Sequence, residues 1–196
     1  GAITPPRTYF QKIQAVLKKY DVLMVADEVI TGFHRTGNTF ACETYGIEPD
    51  IMVNAKQLSS AYLPISSVMM NEKVYSAIRD FADSNGILGT GFTYGGHPVA
   101  AAVALETLKI YDDTDIASHV NAVSKVAMRR LAALGDHPLV GEASVIGMMG
   151  SLALTPHKES RAKFAADPGT IGYMCREHCF ANNLVMRHVY DRMIIS

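Results

Sequence analysis

The chain has 196 residues, of which 48% are hydrophobic and 19% charged, so a sizeable core can be buried in one large or two small domains. Its 18 basic and 19 acidic side chains nearly balance, which favours neither nucleic acid nor an anionic membrane as a partner. We also expect no transmembrane segment and no secretory leader.

Residues 1–111 carry a pattern typical of a parallel α/β unit. A helix is predicted over residues 4–20, with Thr4 as its N-cap. The continuous apolar run from Val22 to Val25 then predicts a strand buried on both faces. Two more short strands, at 51–56 and 63–70, follow a glycine-rich stretch that contains a short helix candidate. Two further helices are predicted over residues 71–82, with Asn71 as the cap, and 97–111, with Pro98 at the start.

The pattern changes near Asp112, where we expect a domain boundary. A long helix is predicted over residues 112–134, a strand over 145–154 and a helix over 170–183, followed by two short apolar stretches. Residues 112–196 therefore predict a small α+β domain that follows the α/β unit.

The three cysteines are Cys42, Cys175 and Cys179, an odd, low number that argues against a disulfide framework and predicts a reducing, cytoplasmic location. The sequence "CREHC" over residues 175–179 raises the question of a metal. Structural zinc usually needs four ligands, often as two separated pairs, and there is no second pair at matching spacing. We predict a helix with two half-buried thiols and no metal site.

Three polar features follow predicted strands or lie in the next loop: Asp27, Lys56 and the loop around Thr93. In open α/β sheets ligands bind beyond the carboxyl ends of the strands, so these features are candidates for one site. Partial desolvation of Lys56 would favour a neutral amine that can form a Schiff base. A surface lysine with an extended side chain is the alternative.

Asp27 ends an apolar run, where an unpaired carboxylate would be costly. It could be a helix cap, a strand-end hydrogen-bond acceptor, half of a buried ion pair, or the partner of a cationic nitrogen. In enzymes that use pyridoxal 5'-phosphate (PLP), an Asp keeps the pyridine nitrogen protonated. A Schiff-base lysine and such an Asp are the pair that this cofactor needs.

Three motifs carry a resemblance to a known family. They are "VLMVADEVITGFHRTG" (22–37), "GIEPDIMVNAKQLSSAYLPISSV" (46–68) and "GTGFTYGGHPVAAAVALETL" (89–108). In this order they resemble the class III aminotransferases, PLP enzymes of the aspartate-aminotransferase fold, and the similarity extends over essentially the whole chain. It implies an α/β fold with a parallel-type sheet and helices, plus a small α+β C-terminal domain.

The resemblance also implies roles for individual residues. Lys56 corresponds to the lysine that forms the Schiff base with PLP and later moves a proton, and Asp27 to the partner of the pyridine nitrogen. Val29 would pack on the cofactor ring. Thr93, with Phe92 beside it at a dimer interface, would bind the cofactor phosphate of the neighbouring subunit.

The implied activity is transfer of an amino group from an ω-amino acid or amine to an oxo acid, with pyruvate as the expected acceptor. Arg187 falls where the family places an arginine that binds a substrate carboxylate, for which a guanidinium offers bidentate geometry. A homodimer with a shared active site is expected.

The chain departs from the family pattern in two places and in extent. His34 and Tyr190 stand where glycine is usual, and Tyr190 either narrows the substrate pocket or is an exposed turn residue. The family's upstream half, with the turn that cradles the phosphate, is not in these 196 residues. Two alternatives therefore remain: a catalytically incomplete fragment or pseudoenzyme that keeps the fold, and an α/β binding module in which Lys56 holds a phosphate.

Overall fold

A computed structural model describes residues 2–196 and divides the chain into two compact units. The first unit comprises residues 7–117. The second comprises residues 118–196 together with the short segment that ends at Pro6. No helix within residues 2–196 combines the length and the apolar character needed to cross a bilayer.

The first unit is a small sheet with helices. In chain order its elements are α1 (Tyr9–Lys19), β1 (Val25–Asp27), α2 (Ala41–Tyr45), β2 (Ile51–Asn54), a 3-10 helix (Lys56–Leu58), β3 (Ser67–Met70), α3 (Glu72–Asn85) and α4 (Pro98–Asp113). The sheet has the order β1-β2-β3. β1 and β2 are parallel, as expected, but β3 is antiparallel to β2. A parallel return needs a crossover of a dozen or more residues, usually helical, and residues 55–66 contain only a 3-10 helix.

The register of β1 against β2 separates two faces. Asp27 lies opposite Val53, and Ala26 lies opposite Met52. Because side chains alternate along a strand, Val25 and Asp27 share one face, whereas Ala26 and Glu28 share the other. Val25 is 57% exposed, so the prediction of a strand buried on both faces is wrong for the described residues.

The helix starts agree with the sequence in two of three cases. The Asn71 side chain caps α3 by accepting a hydrogen bond from the Val74 amide at 3.1 Å. Pro98 is the first residue of α4, as predicted. The prediction of Thr4 as a cap is wrong, because α1 begins at Tyr9 with Thr8 as its N-cap residue.

The second unit is an antiparallel sheet with a helix packed on it. Its elements are most of α5 (Ile116–Leu134), β4 (Val140–Ile146), β5 (Met149–Leu154), α6 (Thr170–Ala181), β6 (Arg187–Val189) and β7 (Arg192–Ile195). The strand order is β4-β5-β7-β6, and all pairs are antiparallel. The single strand predicted over residues 145–154 is wrong: a turn at Gly147, which has φ +56°, divides it into two arms of a hairpin. The buried core is Val140, Leu152 and Met193.

Candidate active site

Asp27 and Lys56 lie at the same edge of the first unit's sheet. Asp27 is the last residue of β1 and pairs in register with Val53 of the parallel strand β2. β2 ends at Asn54, and Lys56 opens the 3-10 helix directly beyond it. Neighbouring strands are about 4.8 Å apart, so the carboxyl ends of β1 and β2 present both residues to one region. This is the edge at which open α/β sheets bind ligands.

Two adjacent carboxylates at the end of β1 have different environments. Glu28 is only 2% exposed and accepts hydrogen bonds from the amides of Ala41 at 3.1 Å and Cys42 at 2.7 Å, at the start of α2. Asp27 is exposed and accepts one from the Val29 amide at 3.0 Å. Glu28 therefore anchors the loop that follows β1, whereas the oriented Asp27 carboxylate has room to bind a ligand.

The thiol of Cys42 lies in the same buried environment as Glu28. Burial, together with the neighbouring Glu28 carboxylate, raises the pKa of Cys42 to about 12. The thiol therefore stays protonated at physiological pH, and this part of the loop is structural.

Lys56 has an unusual backbone conformation. Its φ is +44°, in the left-handed region that costs a non-glycine residue about 1–2 kcal/mol. Its carbonyl accepts hydrogen bonds from the amides of Ser59 at 3.2 Å and Ala61 at 3.3 Å. The side chain itself is exposed. Among the described residues nothing desolvates the ammonium, so the prediction of partial desolvation is wrong for this part of the protein.

Asn54 is the most unusual buried residue near this edge. It is 1% exposed, and neither polar atom of its carboxamide has a hydrogen-bond partner among the described residues. A Cβ added at Gly32 would lie 3.3 Å from Asn54 Oδ1 and 2.9 Å from the Glu28 carbonyl oxygen. The close approach of the loop to the end of β2 thus requires glycine at position 32.

The other predicted cofactor residues are less closely placed. Val29 is half-buried beside Asp27, to which its amide donates. Phe92 is 89% exposed, and Thr93 is exposed in a turn before α4. Among residues 2–196 no hydrogen bond or ring contact joins Phe92 or Thr93 to Asp27 or Lys56, and every residue from 83 to 99 is exposed.

The residues predicted near the substrate lie in the second unit. Arg187 is the first residue of β6, pairs with Ile194 of β7 and is exposed. Tyr190 is 70% exposed with φ +50° in the turn between these strands, which confirms the exposed-turn interpretation. The Asp191 carboxylate accepts a hydrogen bond from the Gly172 amide at 2.9 Å, in the first turn of α6, and so fixes this turn.

His34, the other departure from the family pattern, lies in the loop after β1. Its φ is +69°, a conformation that glycine adopts without strain. Its ring makes an edge contact with Tyr111, with centroids 5.9 Å apart. Histidine at this position therefore has a strained backbone conformation but gains an aromatic contact with α4.

The helix and the two half-buried thiols predicted for residues 175–179 are confirmed. Cys175 and Cys179 are half-buried, one turn apart on α6. Burial and the neighbouring thiol raise the pKa of Cys175. Within residues 2–196 no group of three or more histidine, cysteine or acidic side chains has an arrangement that could hold a metal ion.

The sequence interpretation missed the supporting residues Glu28 and Asn54. A signal for Glu28 was present, because an acidic residue next to the first one, at the end of an apolar strand, must alternate to the opposite face. No comparable signal identified Asn54, since an amide near a strand end is normally exposed.

Comparisons with known proteins agree with this geometry. The family model "Aminotransferase class-III" matches residues 1–188. A putrescine–pyruvate aminotransferase of Pseudomonas aeruginosa is 47% identical over 197 residues, covering 100% of this chain and 42% of that protein. A gamma-aminobutyrate transaminase 3, described as chloroplastic, of Solanum lycopersicum is 42% identical, again over 100% of this chain and 38% of that protein.

Solved structures show the same similarity. An omega transaminase from Pseudomonas jessenii in complex with PMP has a TM-score of 0.95 and 43% identity, and covers 100% of this chain and 44% of that one. The chain thus spans less than half of the length of each relative named here. The family match over residues 1–188, the shared fold and the position of Asp27 and Lys56 agree, and the chain belongs to the class III aminotransferases.

Proposed function

We propose that the protein containing this chain transfers an amino group from an ω-amino acid or amine to an oxo acid, with pyruvate as the acceptor, and uses PLP. The observation that carries this proposal is the placement of Asp27 and Lys56 at one carboxyl edge of the parallel pair β1–β2. We further propose that the protein is a cytoplasmic homodimer whose subunits share active sites.

The chemistry of the donor set fits the cofactor. An oriented, exposed carboxylate at Asp27 suits a protonated ring nitrogen, and the primary amine of Lys56 at the same edge suits an aldehyde carbon. Val29 is half-buried beside the carboxylate and offers an apolar surface for a ring. PLP, when bound, supplies a ring that draws electrons away from the substrate carbon next to the amine.

The residues of the chain then have separate tasks. The Asp27 carboxylate would hold the proton on the ring nitrogen. Lys56 would hold the cofactor through its amine, and as a free amine it would take up and return the proton of the substrate carbon. Thr93, with Phe92 beside it, would bind the phosphate across a subunit interface.

The similarity to a putrescine–pyruvate aminotransferase supports an amine donor without a nearby carboxylate. In this proposal Arg187 binds the carboxylate of the oxo acid, for which the planar guanidinium is suited. Its exposure at the start of β6 is compatible with a group that reaches for a ligand.

One alternative function has specific support. Asp27 and Lys56 are both exposed, which also suits a noncatalytic protein that keeps the fold. This alternative predicts no absorbance from a cofactor–lysine bond and no bleaching by amines.

The test uses protein expressed from the complete reading frame that contains this chain. Lys56→Ala should lower kcat with an amine and pyruvate by at least about a hundredfold, because a positioned proton-transfer group contributes about 10²–10⁴-fold. Borohydride reduction of the wild-type protein with PLP should attach the cofactor to Lys56, as read by peptide mass spectrometry. Lys73→Ala is the matched control, since this exposed lysine forms a surface ion pair with Asp21 at 2.7 Å. Normal turnover by Lys56→Ala would refute the proposal.

A further inference from the structure

The backbone around Lys56 is held in a conformation that it would not adopt by itself. We call residues 55–61 the lysine turn. Lys56, Ser60 and Ala61 have φ values of +44°, +47° and +63°, and none of them is glycine. Such conformations persist only where the surroundings enforce them, and they concentrate at functional sites.

Gln57, the residue after the lysine, is held by hydrogen bonds to its side chain and to its backbone carbonyl. With its carboxamide oxygen turned toward Arg35, Oε1 accepts hydrogen bonds from Arg35 Nε at 3.1 Å and Nη2 at 2.8 Å. Its backbone carbonyl accepts one from the Tyr111 hydroxyl at 2.7 Å. The same hydroxyl lies 3.1 Å from Ser60 Oγ, near the other end of the lysine turn.

The two residues that bond to Gln57 lie on either side of it in the sequence. Arg35 belongs to the loop that follows Asp27 and that Glu28 anchors to the start of α2. Tyr111 belongs to α4, and its ring contacts Phe33 of that same loop at a centroid distance of 6.3 Å. The lysine turn is therefore fixed to both the loop and the helix.

We propose that Arg35, Gln57 and Tyr111 are positioning residues for Lys56: they hold the lysine turn so that the amine meets its carbonyl partner in one geometry. This inference rests on the proposed function. A guanidinium that donates two hydrogen bonds in one plane restricts both the distance and the angle of Gln57, which a single contact would not do. Their contribution is thus to the orientation of Lys56 and not to chemistry of their own.

The test measures how fast added PLP becomes attached to Lys56 in the full-length apoprotein, by borohydride quenching and peptide mass spectrometry. Gln57→Ala should slow attachment and lower kcat by about tenfold with little change in KM for the amine, because small misplacements of a reacting group are costly. Tyr111→Phe keeps the ring contacts but loses both hydroxyl contacts, and should slow attachment in the same direction. Gln57→Glu keeps oxygen acceptors for Arg35 and should restore attachment to within about twofold of wild type.

The matched control is Gln14→Ala. Gln14 also makes two hydrogen bonds within the first unit, donating to the Gly46 carbonyl at 3.0 Å and accepting from the Glu48 amide at 2.9 Å, away from the lysine turn. It should lower the melting temperature and leave attachment unchanged. If Gln57→Ala behaved in the same way, with a lower melting temperature but wild-type attachment, the inference would be overturned. Should Gln57→Ala not fold, wild-type attachment in Tyr111→Phe would overturn it.

The two proposals fail differently. If wild-type protein attaches PLP at a lysine other than Lys56, the proposed function is wrong. If attachment occurs at Lys56 but at the same rate in Gln57→Ala and wild type, only the positioning role is wrong.

Discussion

Side chains of the same type receive different tasks here through burial and hydrogen bonding. Asp27 and Glu28 are neighbouring carboxylates, yet Glu28 is 2% exposed and occupied by backbone amides, whereas Asp27 is exposed. A buried carboxylate needs several donors to offset its desolvation, and the start of α2 provides them. The exposed neighbour keeps free lone pairs, so it is the carboxylate suited to a ligand.

The carboxamide of Asn54, which has no hydrogen-bond partner among residues 2–196, predicts an unusual mutational effect. Burying a polar group without a partner costs about 1–3 kcal/mol, so Asn54→Leu, which has a similar size, should raise the free energy of unfolding by about 1 kcal/mol. Chemical denaturation of the two proteins measures this difference. Asn182→Leu, just after α6, is a control in which the carboxamide has a partner, since Nδ2 donates to the His178 carbonyl at 2.8 Å, and it should not stabilise. A lower stability of Asn54→Leu would contradict this prediction.

Arg187 makes a prediction about substrate classes. If its guanidinium binds the carboxylate of the oxo acid, Arg187→Ala should raise KM for pyruvate by about tenfold or more, since a charged hydrogen bond is worth about 1.5–3 kcal/mol. The half-reaction with a simple amine, which has no carboxylate, should change little. Steady-state kinetics with both substrates provide the measurement. Arg176→Ala, on α6, removes an arginine that pairs with Glu177 and serves as a control. Equal losses for both substrates would contradict the assigned role.

Among the elements of the first unit, one carboxylate makes contacts at the amino ends of β1 and β2. Asp50 precedes β2, and its oxygens accept hydrogen bonds from the Met24 amide and from the Asn71 side chain, both at 2.8 Å. Met24 precedes β1, and Asn71 caps α3. One side chain thus connects the starts of two strands and a helix. The relative placement of these elements therefore depends on the charge of this carboxylate.

These contacts predict a dependence of stability on pH. The Met24 amide, followed by the Asn71 side chain, lowers the pKa of Asp50 below its usual value. The stabilisation is therefore present above the unfolded pKa of about 3.9 and is lost as the pH falls through the lower folded pKa. Asp50→Asn should melt at a lower temperature than wild type at pH 6, and the gap should narrow toward pH 3. Thermal unfolding across this range is the measurement, and Asp80→Asn on α3 is a control, since that carboxylate only pairs with its neighbour Arg79. A gap independent of pH would contradict the assignment.

For the whole molecule, the segment from 83 to 99 is the feature that calls for a partner. All of its residues are exposed, including Phe92 at 89% and Tyr94 at 84%. Large aromatic side chains with so much of their surface exposed are typical of an interface. This exposure supports the proposed placement of Phe92 and Thr93 between two subunits of a dimer.

A mixing experiment tests the shared site. In full-length protein, Lys56→Ala and Thr93→Val subunits should each be weakly active as homodimers. A mixed dimer would have one site with both defects and one site with neither. Co-refolded at equal amounts, the two variants should therefore recover about a quarter of the wild-type activity, because half of the dimers are mixed. Recovery no greater than the sum of the separate variants would place Thr93 and Lys56 in the same subunit's site.

The sequence by itself determined the family and the edge of the sheet at which the candidate site lies. Three ordered motifs identified the class III aminotransferases, which the family match confirmed. Two strands joined by a connection long enough for a crossover had to bring Asp27 and Lys56 to one carboxyl edge. Local signals also placed the Asn71 cap and the start of α4 at Pro98, because both depend on nearby residues only.

Only the tertiary structure decided what surrounds those residues. The direction of β3, the exposed face of β1, the division of residues 145–154 into a hairpin and the burial of Asn54 all depend on contacts between distant segments. The hydrogen bonds that Arg35 and Tyr111 donate to Gln57 also join residues far apart in the chain. Periodicity reports which face of an element is apolar, but it does not report which partner covers that face, and burial follows from the partner.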